Sequence, residues 1–592
     1  MKRLRNKIIS VLVAVVLIII VAVIAFGGRL KESIASGEEF GIRWFLALIY
    51  PEKYSYSMQM ADMNEYFQLF AQDDIAIILQ NERIEDRGKL IDGTVYFSIT
   101  TVEKLFTDRF YVDADGAALY YTTSKEVRIV PIGEGSNGYY VNGVWTPLDY
   151  KAAQFDANGT LYIAAEYVKN YADFTYEFFA DPNRMQVRTE WDTHRETTVL
   201  KDTQVRYQGG IKSDVLCQAA EGDRVTVLEI METWTKVQTK DGFIGYIEND
   251  KLADYEEIVE VPVSGAYDPA ADYHMTSGAD GKLTMVFHQV TAPDDGSGFN
   301  GLYASTSGID IVSPTWFYLD STDGSYMSIA SRAYVENAHA KGLQVWALIE
   351  DMTYEVDEFE LFSSADNRQA LIANLIQEAL ELGIDGINID FEEITRESAP
   401  HYVQFLRELS IETHNNGLVL SVDNYMPNEG NRYYNLKEQG YVADYVILMG
   451  YDEHWAGSAE SGSVASIGFV EKGLTDAVTL GVPENKLINA VPFYTRIWRT
   501  EGVQVNSEAV SMSVAQEWLT NRSLTPEWSD ETGQYYASYQ DGTAYYEVWI
   551  EDADSLNVKL NIMSNYDLAG VAAWKLGLES ADVWPVINSY ME

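Results

Sequence analysis

The sequence predicts an α/β protein whose C-terminal part, residues 275–592, is a (β/α)8 barrel. Three observations predict it. From about residue 280, apolar strand-like runs alternate with helical segments, the pattern of a parallel sheet crossed by helices. Eight such runs occur, at 283–290, 309–319, 344–349, 386–391, 418–424, 445–450, 487–493 and 570–574, enough to close a barrel with its chemistry at the strand C-termini. The fourth run, Asp385-Gly386-Ile387-Asn388-Ile389-Asp390-Phe391-Glu392, alternates polar and apolar residues. A doubly wound open sheet also fits the alternation, although no glycine-rich phosphate loop follows the first run.

Length and composition bound the rest. A chain of 592 residues exceeds one core and suggests about three to four domains. The net charge of −48 excludes nucleic-acid binding, which needs a basic footprint. With Cys217 as its single cysteine, the chain has no intrachain disulfide and no cysteine-based zinc site. The 40 Tyr and 13 Trp offer sugar-stacking faces beyond those that fill β-rich cores.

Residues 1–28 join a basic start (Lys2, Arg3, Arg5, Lys7) to an uncharged apolar run from Ile8 to Gly28. That run is long enough to span a bilayer, which takes about 20 residues. The expectation is a single-pass anchor in the cell membrane, its N-terminus cytoplasmic and the remainder extracellular. Residues 29–64 then read as a juxtamembrane spacer.

Residues 65–192 hold a weak repeat. Asp92-Gly93-Thr94-Val95-Tyr96-Phe97 matches Asn158-Gly159-Thr160-Leu161-Tyr162-Ile163, each a turn, a strand and a short helix. This resembles the small α/β module at the N-terminus of some amine oxidases. Residues 196–255 form short β-like runs in which Trp234-x-x-Val237, Asp241-Gly242 and Gly245-Tyr246 resemble a bacterial SH3-type barrel. Such modules bind cell-wall peptide or glycan, or act as rigid spacers.

In the fourth barrel run, Asn388, Asp390 and Glu392 share one strand face, same-face neighbours lying about 7 Å apart. Two carboxylates and an amide on an inner face are costly to bury without a purpose. They suit a site where one carboxyl is held neutral as an acid and its neighbour stays charged. The competing reading is a polar strand end that caps the next loop.

Three further segments go with this run: Met449-Gly450-Tyr451-Asp452 ending the sixth, Pro492-Phe493-Tyr494-x-Arg496 ending the seventh, and Trp574 in the eighth. Together they resemble glycoside hydrolase family 18, whose fourth strand carries Asp-x-x-Asp-x-Asp-x-Glu. The resemblance implies that Glu392 is the general acid and base, and that no enzyme nucleophile is used. The substrate's own 2-acetamido oxygen would attack the anomeric carbon, with retention. Asp390 would orient that acetamide, Tyr451 would hydrogen-bond it, and Trp574 would floor the sugar. Asn388, Met449, Asp452 and Tyr494 would line the substrate, and Arg496 would either join them or pair with a nearby carboxylate. No cofactor and no metal are called for. Asn388 departs from the family's middle aspartate and cannot share a proton with Asp390, which predicts that Asp390 stays ionised more persistently than it would beside a carboxylate at position 388.

The implied substrate is a β-1,4-linked, N-acetylglucosamine-containing glycan: peptidoglycan, with chitin-like oligosaccharides and N-glycans as alternatives. A non-catalytic wall- or glycan-binding protein on the same barrel is the competing class.

Overall fold

The computed structural model describes residue 46 and residues 50–133, 135–275 and 281–592. These fall into two compact units, one from Met1–Asp108 and Tyr150–Tyr267, the other from Arg109–Asp149 and Asp268–Glu592. The expected membrane placement is corrected: among the described residues no helix is long and apolar enough to cross a membrane. The run from Ile8 to Gly28 on which the anchor was read lies outside the described residues.

The first unit holds two seven-stranded sheets. In one, the two repeat copies become neighbouring antiparallel strands, Thr94–Ser98 and Leu161–Ala164. Each leads straight into a helix, Ile99–Leu105 and Ala165–Val168. The other sheet runs from His194–Thr198 to Glu256–Ile258 around Val205, Leu216, Val225, Val237 and Ile247. Cys217 borders that core, and burial pushes its thiol up to about 12, so it is no thiolate at neutral pH.

The second unit contains the barrel. Its strands are β1 (Leu283–His288), β2 (Ile311–Leu319), β3 (Gln344–Glu350), β4 (Gly386–Asp390), β5 (Val419–Tyr425), β6 (Tyr445–Met449), β7 (Leu487–Pro492) and β8 (Gly570–Trp574). All neighbours pair in parallel, and β8 pairs with β1, which closes the ring and excludes the open sheet. The interior is filled by Met285, Phe287, Ile311, Trp346, Leu348, Val419, Tyr445, Ile447, Ile488, Ala490 and Ala572. It is a packed core rather than a pore.

The approach to β4 is set locally. Helix α1 (Ala365–Leu382) starts at Ser364, whose side chain accepts the Asn367 N–H, and ends at Gly383, whose φ of 77° turns the chain back. Asp385, the first residue of the polar run, accepts the Val345 N–H at 2.7 Å and contacts His339 at 2.8 Å. It therefore works at the base of the barrel. A Cβ on Gly386 would sit 2.7 Å from the Trp346 indole, so only glycine lets this large ring fill the first interior layer. With Gly386 in that layer, alternation turns Asn388 and Asp390 inward and Ile387 and Ile389 outward. Phe391 also faces out, packing against Phe362 and Phe405 of the helical layer.

Residues 109–149, expected inside the 65–192 module, instead form a five-stranded antiparallel sheet that belongs to the second unit. It docks on helices α2 (Ala399–Asn416) and α3 (Leu436–Val442) through buried polar groups. Arg109 and Arg407 both bind Glu438, at 2.9 and 2.6 Å. Tyr111 meets His401 at 2.6 Å, and Gln404 donates to Thr122 at 3.0 Å. A second addition follows β7: a five-stranded antiparallel sheet from Tyr494–Glu501 to Ala544–Ile550, packed around Trp518 of helix Met512–Arg522.

Candidate active site

Two adjacent strands build the site as matched ladders. On β4 the inward residues are Asn388 and Asp390, with Glu392 just past the strand end; on β5 they are Ser421, Asp423 and Tyr425. Asn388 pairs with Ser421 in the register of the two strands. Ser421 Oγ donates to Asn388 Oδ1 at 2.6 Å, and Asn388 Nδ2 donates to Asp423 Oδ2 at 2.7 Å. Two inward rungs above the Asn388–Ser421 pair, the Tyr425 hydroxyl donates to Glu392 Oε2. Asn388 is fully buried, and its amide is used in both directions to tie the ladders together.

Glu392 is fixed at its backbone by other strands. Asp351, following β3, accepts the N–H groups of Glu392 and Glu393 at 2.8 and 3.1 Å. Tyr434 donates to the Glu392 carbonyl at 3.0 Å. Glu350 in turn caps the turn after β3, accepting from Thr353 N at 2.9 Å.

Burial raises the Asp390 carboxyl well above the usual carboxylate range, and the neighbouring Asp423 raises it further. Burial likewise raises Asp423, against the pull of the Asn388 amide. Glu392 is raised by burial and held back by the Tyr425 hydroxyl. Asp351 is pushed up to about 7 by burial, although two N–H groups favour its charged form. The expected easing of Asp390 ionisation by Asn388 is thus opposed by burial and by a carboxyl on the neighbouring strand. The missing carboxylate at 388 has a spatial counterpart on β5, in Asp423.

The other expected residues close the mouth. Tyr451, after β6, lies with its ring 6.4 Å from Trp574 at the tip of β8 and 6.3 Å from Tyr494. Trp574 packs on Phe287 of β1, so Tyr451, Trp574 and Phe287 form one aromatic cluster at this end of the barrel. Tyr494 donates to Asp452 at 2.5 Å, and Arg496 reaches the same carboxylate at 3.9 Å and Ser507 at 3.1 Å. Met449 is buried in β6, in register with Tyr425 and Ala490. Among the described residues no group of three or more His, Cys, Asp or Glu side chains could hold a metal ion. Chemically, the site offers a proton donor-acceptor at Glu392, a buried carboxyl two residues before it, and an aromatic cluster.

Sequence reasoning missed Asp351, Asp423 and Tyr425. The period-two pattern Ser421-x-Asp423-x-Tyr425 signals an inward ladder on β5, but its partnership with Asn388 and Glu392 depends on strand register.

Two segments of the chain are similar to known protein families. Residues 333–579 match the family Glycosyl hydrolases family 18, and residues 201–253 match the Bacterial SH3 domain. The first match begins beyond β2, so barrel closure supplies the two leading strands. The chain is 26% identical over 279 residues to a "Cortical fragment-lytic enzyme" of Bacillus anthracis, 45% of this chain and 64% of that one. It is 26% identical over 315 residues to the "Uncharacterized glycosylase YvbX" of Bacillus subtilis (strain 168), 50% of this chain and 88% of that one. The crystal structure of the Bacillus cereus spore cortex-lytic enzyme SleL aligns with a TM-score of 0.48 and 22% identity, covering 52% of this chain and 74% of that one. The chain thus spans less than two thirds of the cortical enzyme's length, 64% of it. The chain carries a glycoside hydrolase domain and a bacterial SH3 domain. Neither of these family matches reaches residues 65–192, the segment expected to be an amine-oxidase-like module.

Proposed function

We propose that the barrel hydrolyses β-1,4-linked, N-acetylglucosamine-containing glycan, peptidoglycan above all, by substrate-assisted catalysis with retention. The observation that carries this reading is the placement of Glu392, Asp390, Tyr451 and Trp574 around one barrel mouth. Glu392, raised by burial, holds a proton for the glycosidic oxygen and later takes one from water. Asp390 has a buried oxygen, Oδ1, with no hydrogen-bond partner, suited to an acetamide N–H brought by the substrate. The acetamide oxygen attacks the anomeric carbon as the aglycone leaves with the Glu392 proton, and water then opens the oxazolinium ring. Asp390 offsets the positive charge of that ring, Tyr451 holds the acetamide oxygen, and Trp574 packs under the sugar.

A wall polymer as substrate is supported by relatives named for cortex lysis and by the SH3 domain. The test compares wild type with Glu392→Gln on purified peptidoglycan and on chito-oligosaccharides. Wild type is expected to release new reducing ends at least about a thousandfold faster than the variant, as loss of a general acid predicts. Equal, null release by both proteins on every N-acetylated substrate would leave the barrel a binding platform. Cleavage of chito-oligosaccharides alone would move the substrate to chitin-like glycan.

A further inference from the structure

We propose that Asp423 is a positioning residue for this reaction: it shares a single proton with Asp390 across the β4–β5 seam, and Asn388 holds it in place to do so. The inference rests on the reading of Asp390 given under Proposed function.

Register supplies the first support. Asn388 lies beside Ser421 and Ile389 beside Val422, so the next rung sets Asp390 beside Asp423. The two side chains point into the barrel from adjacent strands, and both residues are buried. Each keeps one buried carboxyl oxygen, Oδ1, without a hydrogen-bond partner.

Charge supplies the second. The groups facing Asp390 are Glu350 and Asp351 from the end of β3, Glu392 on its own strand, Asp423 and Tyr425 from β5, Tyr451 after β6 and Tyr402 from α2. None is a cation. Two adjacent buried carboxyls in such surroundings cannot both ionise, and they titrate as a pair that keeps one proton between them. That proton also turns one otherwise unmatched acceptor into a donor toward the other.

The third is the role of Asn388. It accepts from Ser421 and donates to Asp423 Oδ2, so its amide fixes one oxygen of Asp423 and cannot itself supply an acid. When Asp390 turns its charge to the substrate, the proton resides on Asp423; when Asp390 is idle, the two exchange it. No proton is gained or lost within the pair.

The test uses the full chain in three forms: wild type, Asp423→Asn, and the exchange variant Asn388→Asp/Asp423→Asn. The exchange keeps the hydrogen bond between positions 388 and 423 and restores a carboxyl next to Asp390. Infrared difference spectra across pH count protonated carboxyls without needing activity. Wild type is expected to show a carboxylic-acid band persisting above neutral pH that Asp423→Asn lacks and the exchange variant regains. In parallel, Asp423→Asn should lower kcat about tenfold or more with KM little changed, the equivalent of one pKa unit of coupling, and should move the pH–rate profile. The exchange variant should recover most of that loss. A band and a pH profile identical in wild type and Asp423→Asn would overturn the proposal, as would a folded exchange variant no better than Asp423→Asn. If wild type cleaves no N-acetylated glycan, the functional reading falls, and the infrared titration still decides whether the pair shares a proton.

Discussion

The carboxylate of Asp351 accepts the backbone N–H of Glu392 at 2.8 Å, so the residue read as the general acid is anchored to the strand next to its own. Asp351 also holds the Glu393 N–H, and it is almost fully buried. This arrangement fixes the tip of β4 where a strand alone would fray.

Asp351→Asn tests that anchoring. One amide oxygen replaces two carboxylate oxygens, leaving one N–H short of an acceptor at a cost of about 1–3 kcal/mol. The activity attributed to Glu392 should fall about tenfold. The pH dependence follows from the raised value of about 7 against an ordinary carboxyl near 3.8. Between those values the folded state binds more protons than the unfolded one, so the group's contribution to stability is full below about 4 and is lost as pH rises through about 7. Urea denaturation across that range should show a flatter pH profile for the variant than for wild type; superimposable profiles would remove Asp351 from the account.

Tyr425→Phe removes the hydroxyl that favours the charged form of Glu392. Without that donor the Glu392 carboxyl rises further, so the alkaline limb of kcat/KM, where the acid loses its proton, should move to higher pH. Steady-state rates between neutral and alkaline pH measure it. An unmoved limb would mean that the contact has no bearing on the acid.

Glu438→Ala should uncouple the added sheet from the barrel. Glu438 is buried between Arg109 and Arg407, and Arg407 followed by Arg109 holds its carboxyl down to about 2 against burial. Removing it takes away the carboxylate that both buried guanidinium groups share, a loss of about 3–5 kcal/mol. Hydrogen exchange should then speed up across strands 111–147 and helix α2. Exchange unchanged in both would show that the sheet does not depend on this ion cluster.

The barrel strands were legible because each is a short apolar run bounded by helical or turn residues, and all eight occupy the expected segments of chain. The β4 run was legible for the same reason, through its alternation of polar and apolar residues. Asp423 and Tyr425 were not, because their meaning arises only when β5 pairs with β4 in one register. The sheet of residues 109–149 was hidden differently. Helix α2 buries His401, Gln404, Arg407 and Glu408, residues that usually mark a solvent face, and only tertiary contact reveals what covers them. The addition after β7 had a local signal in Asp541-Gly542 between Tyr-rich runs, a hairpin turn that joins strands Gln534–Asp541 and Ala544–Ile550.

Hydrolysis through the substrate's own acetamide fixes which anomer is released first. Proton NMR of a chito-oligosaccharide or soluble peptidoglycan fragment during the first minutes of cleavage reads it before mutarotation. The β-anomer is expected at the new reducing end, and no cleavage once the sugar at the cleavage site is de-N-acetylated. Initial release of the α-anomer, or undiminished cleavage of the de-N-acetylated substrate, would contradict hydrolysis through the acetamide.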